Sequence, residues 1–238
     1  DLLYGETGSD TINGGTGNDT VSYLNENKIL VTLSEGGTVT VDADNDGNFE
    51  NDSAQDDLDI LNEIENITGS NTGNDTITGD GNANILKGMG GDDLLRGGAE
   101  SDTIDGGDHS VMGSGTQGSA NAYSGKGDTV SYDYITSTSD SVVVNLGAQN
   151  ATVYNGTVAS SDIDTILNIE NVIGTAGNDD ITGNAQNNTL QGGATGNDIF
   201  RVSDGNDTID GGTGGTDKAI YTTSNAGVVV TTTAATTT

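Results

Sequence analysis

A nonapeptide repeat is most complete at Gly14-Gly15-Thr16-Gly17-Asn18-Asp19-Thr20-Val21-Ser22, and it predicts the architecture of the chain. It follows the pattern G-G-x-G-x-D-x-U-x, in which U is a large apolar residue. The pattern stands one period earlier at 5–13, with Glu6 as its one departure, and the tail of another copy opens the chain. A fixed short period of this kind is typical of stacked repeat architectures. The sixth residue of each repeat, called position six below, is in phase through this run: Asp1, Asp10 and Asp19.

Two further runs carry the same pattern downstream. The position-six residues of the second run are nine residues apart: Asp75, Asn84, Asp93 and Asp102. The third run contains two ten-residue steps, and its position-six residues are Asp179, Asn188, Asp198, Asp207 and Asp217. An apolar residue stands two places after nearly every one of them, as the period-two alternation of a short strand requires.

Two longer segments separate the runs and resemble each other. Both begin Asp-Thr-Val-Ser-Tyr, at 19–23 and 128–132, and 57–66 aligns without gaps to 162–171. Strand-like apolar runs lie inside them: Ile29–Leu33, Val39–Val41 and Val142–Leu146. The predicted organisation is a roll run at 1–22, an interlude at 23–69, a roll run at 70–108, a Gly/Ser-rich loop at 109–127, an interlude at 128–174, a roll run at 175–217, and the start of a third interlude with a Thr-rich tail at 218–238.

Composition limits the function classes. The 238 residues include 37 acidic and 6 basic side chains, a formal charge of −31, and 31% are hydrophobic. Such values usually indicate disorder, but the repeats override that interpretation. So acidic a surface disfavours nucleic acid and anionic membranes as partners, and no apolar stretch approaches the roughly 18 residues of a membrane span. Many carboxylates without any cysteine instead favour a hard cation bound by oxygen.

Each residue type of the repeat has a role in such a site. Glycine permits positive φ and lets backbone carbonyls turn inward. Position six supplies a carboxylate, and the apolar residue enters a thin interior. If two nonapeptides form one turn, ions fit between residues about eighteen apart, among carboxylate and carbonyl oxygens that suit calcium. We therefore expect folding coupled to calcium binding.

This geometry predicts six pairs of ligands. They are Asp1 with Asp19, Asp75 with Asp93, Asn84 with Asp102, Asp179 with Asp198, Asn188 with Asp207, and Asp198 with Asp217. The two sites with asparagine carry one charge less and should be weaker. Asp10 is expected to lack a partner, because the chain leaves the period after Asp19.

The first interlude offers another candidate. Asp42-Ala43-Asp44-Asn45-Asp46-Gly47 matches the first half of an EF-hand loop. Asp42, Asp44 and Asp46 have the right ligand spacing, although Ser53 stands where the closing glutamate is usual; a solvated acidic turn is the alternative. Acid pairs also recur in both interludes, Asp57 and Asp59 in the first and Asp162 and Asp164 in the second. An extra ion capping the roll is one interpretation of them, and we favour a turn at the end of a strand.

The repeats resemble the RTX, or haemolysin-type, calcium-binding family. Gly-Gly-Thr-Gly-Asn-Asp-Thr-Val-Ser at 14–22 and Ile-Glu-Asn-Val-Ile-Gly-Thr-Ala-Gly-Asn-Asp at 169–179 carry the resemblance. It implies an all-β fold of parallel β-roll segments interrupted by β-rich interludes, and several bound Ca²⁺ ions. It also implies export by a type I secretion system of a Gram-negative bacterium, with folding outside the cell. The asparagines at position six and the ten-residue steps depart from the pattern.

Three functions remain open. The first is an extracellular structural segment, of a surface layer, matrix filament or adhesin, that associates with itself or with other surface components. The second is a folding and secretion module of an exported enzyme or toxin, whose catalytic domain would lie outside these residues. The third, ranked last, is an ice- or glycan-binding roll. We expect no enzyme here, because the lone His109 excludes a two-histidine zinc helix and no nucleophile elbow is present.

Overall fold

The chain folds into two β-sheets that its strands visit in alternation. The computed structural model describes residues 1–6, 8–34, 37–41, 57–107 and 127–221. The acidic loop at 42–47, His109 with most of the Gly/Ser-rich loop, and the Thr-rich tail therefore lie outside the described residues. Within them every regular element is a strand, which confirms the all-β class.

The strands are short because each nonapeptide spends most of its length in a turn. They are β1 Leu2–Tyr4, β2 Thr11–Asn13, β3 Thr20–Ser22, β4 Ile29–Thr32, β5 Gly37–Val41, β6 Asp57–Asn62, β7 Asn66–Thr68, β8 Thr76–Thr78, β9 Ile85–Met89, β10 Leu94–Arg96, β11 Thr103–Gly107, β12 Thr129–Ser131, β13 Ser141–Asn145, β14 Asn150–Asn155, β15 Val158–Leu167, β16 Asn171–Ile173, β17 Asp180–Thr182, β18 Thr189–Gln191, β19 Ile199–Arg201, β20 Thr208–Asp210 and β21 Lys218–Ile220.

In the runs, neighbouring strands are parallel and two repeats make one turn. Over the described residues, sheet A has the order β1-β3-β7-β9-β11-β15-β14-β13-β17-β19-β21, and sheet B has the order β2-β6-β5-β4-β8-β10-β12-β16-β18-β20. Leu3 is in register with Val21, and Ile77 with Leu95. These partners are eighteen residues apart, so the predicted parallel roll is confirmed.

Each interlude inserts antiparallel strands into one sheet while the other sheet continues. The first adds β4, β5 and β6 to sheet B, and the second adds β13, β14 and β15 to sheet A. β4 and β13 are parallel to the next roll strands, β8 and β17. The three predicted strand-like runs are therefore strands, and both sheets pass through all three runs without a break.

The interior is a thin layer supplied by the apolar residue of each repeat. The burial pattern of β8, β10, β17 and β18 is one buried residue between two partly buried ones, because successive strand side chains point to opposite faces. Ile77, Leu95, Ile181 and Leu190 are all fully buried. Such a layer gives each turn little apolar burial, so the polar turns have a large share in deciding whether the roll forms.

Glycine at the turns lets backbone from successive repeats approach closely. Gly98 has a φ of 111°, and a Cβ there would overlap the carbonyl oxygen of Asp80 in the turn eighteen residues earlier. Left-handed φ is accessible to glycine at little cost. No helix in the described part of the chain has the length and apolarity to span a membrane.

Candidate calcium-binding turns

Each position-six residue lies immediately before a roll strand. The position-six residues therefore form two columns, one beside the N-terminal ends of the strands of each sheet. A backbone N–H of one turn donates to the carboxylate of the next. Asp75 N donates to Asp93 Oδ1 at 2.7 Å, and Asp179 N donates to Asp198 Oδ1 at 2.9 Å. The other internal pairs are alike: Asn84 with Asp102 at 2.8 Å, Asn188 with Asp207 at 2.9 Å, and Asp198 with Asp217 at 3.0 Å.

The sixth predicted pair is also adjacent. The Asp1 α-amino group lies 2.6 Å from Asp19 Oδ1. The structure thus brings together all six pairs expected from the repeat spacing, whereas their part in binding an ion stays a prediction. Asp42, Asp44 and Asp46 lie outside the described residues.

The expectation that Asp10 has no partner is wrong. Its N–H donates to Asp59 Oδ1 at 2.8 Å, and Asp59 is fully buried in β6. β2 and β6 are paired in parallel, with Thr11 opposite Ile60. The chain leaves the nine-residue period after Asp19 but returns to the stack 49 residues after Asp10, so an interlude residue occupies the position of the next aspartate.

The interlude acids do not end strands in turns, which corrects that interpretation. Asp59 and Asp164 lie within β6 and β15, and Asp102 N donates to Asp164 Oδ1 at 2.9 Å. Each also accepts a hydrogen bond from a buried tyrosine hydroxyl at 2.8 Å, Tyr23 for Asp59 and Tyr132 for Asp164. These residues continue the columns through the interludes.

Asp128 is a further member of the columns that the repeat spacing did not predict. Asp128 Oδ1 accepts from Asp93 N at 2.7 Å, and Asp128 is buried. Its signal was present in the sequence, because Asp128 opens the second Asp-Thr-Val-Ser-Tyr segment as Asp19 opens the first. For Asp59 and Asp164 the signal was weaker: the short pattern D-x-U-x without the glycines before it.

The column carboxylates are buried where charge is costly. Burial raises the pKa of Asp75, Asp102 and Asp198 to about 7 each. Burial raises the pKa of Asp179 to about 6, and it also raises that of Asp207. Ionised carboxylates in these positions need a compensating positive charge.

Several of these carboxylates present a buried oxygen that makes no hydrogen bond. The oxygens are Oδ2 of Asp19, Asp102, Asp198 and Asp207. Buried polar atoms are nearly always hydrogen-bonded, so a set of unbonded carboxylate oxygens indicates a missing ligand. An ionised carboxylate oxygen accepts and cannot donate, so a hydrogen-bond donor or a cation fits it, and the burial of several such charges favours a cation.

Carbonyl oxygens converge on the same places through glycine. A Cβ at Gly192 would overlap Asp198 Oδ2 and lie 3.1 Å from the Gly211 carbonyl oxygen. At Gly88 a Cβ would overlap Asp93 Oδ2 and lie 2.7 Å from the Gly106 carbonyl oxygen. The space that these glycines leave is therefore lined by carboxylate and carbonyl oxygens from successive turns.

The donor set fits calcium. Ca²⁺ takes six to eight oxygen ligands from carboxylates, carbonyls and water in adaptable geometry. Within the described ranges no three Asp, Glu, His or Cys side chains cluster so as to hold a metal by themselves. Backbone carbonyls would have to complete each coordination shell, and the glycine-lined turns offer them.

Comparison with known families identifies the repeats. The family model of the RTX calcium-binding nonapeptide repeat matches residues 1–25, 70–93, 78–108, 173–195 and 193–215. These segments coincide with the three runs and leave most of both interludes outside. No curated protein matches the chain. The chain therefore carries RTX calcium-binding nonapeptide repeats, and the columns of buried aspartates stand in their turns.

Proposed function

We propose that the chain is a non-enzymatic structural segment that works outside the cell and stiffens when calcium binds. Buried carboxylates with unbonded oxygens, aligned in two columns, are the observation that carries this proposal. Without a cation, the ionised carboxylates within each column repel one another, and their unbonded oxygens have no partner. With calcium, turns that carry aspartate at position six are joined to the next turn by shared oxygen ligands. RTX repeats are typically found in secreted proteins, where calcium is plentiful.

The architecture supports a spacer more than a pocket. Over the described residues sheet A contains eleven strands, and at about 4.8 Å per strand they extend roughly 50 Å along the stacking direction. A roll of this kind holds its two ends at a fixed separation once every turn is closed. That property suits a surface layer, a matrix filament or an adhesin stalk.

A calcium titration followed by far-ultraviolet circular dichroism tests the proposal. We expect little β-structure in chelator and a cooperative gain as calcium is added. Magnesium is the matched control, because it demands a small octahedral shell and dehydrates reluctantly, so it should restore far less structure. A chain equally folded in chelator and in calcium would refute the coupling.

Self-association in calcium is the second part of the proposal. Neutralising the columns removes much of the repulsion between copies of a chain with a formal charge of −31. Sedimentation velocity in calcium should show assemblies that chelator dissolves. Assemblies indifferent to chelator would contradict this part and leave the calcium-coupled folding of the single chain standing.

A further inference from the structure

Two turns depart from the ion-binding arrangement in the same way. Each holds an asparagine at position six, Asn84 in the second run and Asn188 in the third. Both side chains are buried, with 2% exposure. They stand at equivalent places, since each is the position-six residue of the second nonapeptide after an interlude.

The asparagine amide makes the contacts that an ion would otherwise have to make. Asn84 Nδ2 donates to the Glu65 carbonyl oxygen at 2.7 Å, and Asn84 Oδ1 accepts from Asp80 N at 2.9 Å. Nδ2 also lies 3.3 Å from Asp80 Oδ1. Both amide hydrogens and the amide oxygen of Asn84 are thus used within the protein.

Asn188 repeats this arrangement. Its Nδ2 donates to the Glu170 carbonyl oxygen at 2.9 Å and to Asn184 Oδ1 at 3.1 Å, and its Oδ1 accepts from Asn184 N at 2.9 Å. In each turn the asparagine Nδ2 thus donates to two oxygens that a cation could reach only by displacing it. Both turns are therefore satisfied without an ion.

The turn before each asparagine is closed by a hydroxyl residue. Asp75 accepts from Ser70 N at 2.6 Å and from Ile29 N at 2.8 Å, and Ser70 Oγ lies 3.1 Å from Asp75 Oδ1. At the equivalent turn Asp179 accepts from Thr175 N at 2.7 Å, and Thr175 Oγ1 lies 2.9 Å from Asp179 Oδ1. These carboxylates have donors on both oxygens, unlike Asp19, Asp102, Asp198 and Asp207.

A glutamate and the asparagine after it, at the end of each interlude, make further hydrogen bonds between turns. Glu65 Oε2 accepts from Asp19 N at 2.8 Å, and Glu170 Oε2 accepts from Asp128 N at 3.1 Å. One residue later Asn66 Oδ1 accepts from Ile85 N at 2.8 Å, and Asn171 Oδ1 accepts from Thr189 N at 2.9 Å. Side-chain amides and hydroxyls thus link successive turns where the chain re-enters the roll.

We propose that residues 65–85 and 170–189 are two calcium-independent junctions, which hold no ion at Asn84 or Asn188 and keep their fold in chelator. The flanking turns, with their unbonded carboxylate oxygens, order on them when calcium arrives. This inference rests on the proposed calcium-coupled folding of the runs. It also limits that coupling, since the chain never loses all of its structure.

Hydrogen exchange with mass spectrometry tests the junctions in the whole chain. In chelator, peptides from 65–85 and 170–189 should exchange on the order of tenfold more slowly than peptides from 10–22 and 198–220. Calcium should slow the second pair of peptides and change the first pair little. Junction peptides that exchange as fast as the others in chelator, while calcium still protects all of them, would overturn this inference alone. Peptides that all ignore calcium would overturn the proposed function and with it the inference.

Ion counting provides the second test. The double variant Asn84→Asp/Asn188→Asp should bind two more calcium ions than the parent chain in native mass spectrometry, and its junctions should lose protection in chelator. Asn82→Asp/Asn187→Asp is the matched control, because it adds the same charge at exposed neighbouring positions, and it should leave the ion count unchanged. An unchanged count in the first variant would show that asparagine is not what keeps an ion out of these turns, and would overturn the inference.

Discussion

Replacing Asp198 by asparagine should change the stability of the chain in opposite directions without and with calcium. Asp198 is buried, its Oδ1 accepts from Asp179 N at 2.9 Å, and its Oδ2 makes no hydrogen bond. Asparagine keeps the shape and the acceptor but removes the charge. The parent chain already contains this solution at Asn188, whose amide donates to a carbonyl at 2.9 Å.

The magnitude without calcium follows from the pKa. Burial raises the pKa of Asp198 to about 7 from an ordinary value of 3.8. Each pKa unit is worth about 1.36 kcal/mol, so the ionised carboxylate costs the calcium-free fold at most about 4 kcal/mol near pH 8. Solvent screening removes part of this cost. We therefore expect Asp198→Asn to stabilise the calcium-free chain by about 2 kcal/mol.

In calcium the sign reverses. Asp198 belongs to two of the predicted ligand pairs, with Asp179 and with Asp217, so the variant lowers the charge at two neighbouring ions. Ligand charge is a main determinant of calcium affinity, and a loss of about 1.4 kcal/mol at each ion weakens its binding tenfold. Calcium should therefore stabilise the variant by several kcal/mol less than the parent chain.

Circular dichroism in chelator, in which a more stable calcium-free fold gives more β-structure, and urea unfolding in saturating calcium measure the two effects. Asp210→Asn is the matched control, because Asp210 is exposed and its Oδ1 accepts only a local N–H, that of Gly212 at 3.0 Å. It should behave like the parent chain in both conditions. A variant at Asp198 that is destabilised in chelator, or that gains as much from calcium as the parent does, would refute the reasoning.

Three further outcomes are expected. Burial raises the pKa of Asp102 to about 7, so protonation of Asp102 stabilises the calcium-free fold fully below about pH 4, and this stabilisation is lost as the pH rises through 7. Circular dichroism in chelator should therefore show more β-structure at pH 5 than at pH 8, and the opposite trend would contradict this prediction. Gly88→Ala should lower stability in calcium by about 1–3 kcal/mol, whereas Gly81→Ala, whose Cβ would meet nothing within 4 Å, should be neutral or slightly stabilising in the same thermal melts. Tyr132→Phe removes the hydroxyl donor 2.8 Å from Asp164 Oδ2 and should lower the free energy of unfolding in urea by about 1–3 kcal/mol. A loss below a few tenths of a kcal/mol would show that this hydrogen bond contributes little to stability.

The repeats could be predicted from sequence because their information is local. A nine-residue period fixes which residues are turn ligands and which are apolar, and one turn of two repeats fixes the eighteen-residue register. A ten-residue step lengthens this register to nineteen residues but leaves the apolar residues paired with each other, as Leu190 is with Ile209. The additional residue lies in a turn, and the apolar register of the strands is unchanged.

The partners of Asp10 and Asp102 could not be predicted in the same way. Asp59 and Asp164 are 49 and 62 residues away from them, and no period spans an interlude. Their place depends on how the antiparallel strands inside each interlude pair, and therefore on which strand lies next to the roll. The last strand of each interlude, β6 or β15, takes that place, so the D-x-U-x pattern alone identifies the residue once this order is known.

The positions of the two interludes have a mechanical consequence. At the first interlude sheet B has three strands, β6, β5 and β4, between β2 and β8, where a regular roll would have one strand to match β3 and β7 of sheet A; at the second interlude sheet A has the two additional strands. Two additional strand spacings of about 4.8 Å each on a single side would act as a wedge and tilt the roll axis. Because the second wedge lies on the opposite side, the tilts cancel. An array built from such pairs would stay straight, whereas interludes inserted repeatedly into one sheet would bend it into an arc.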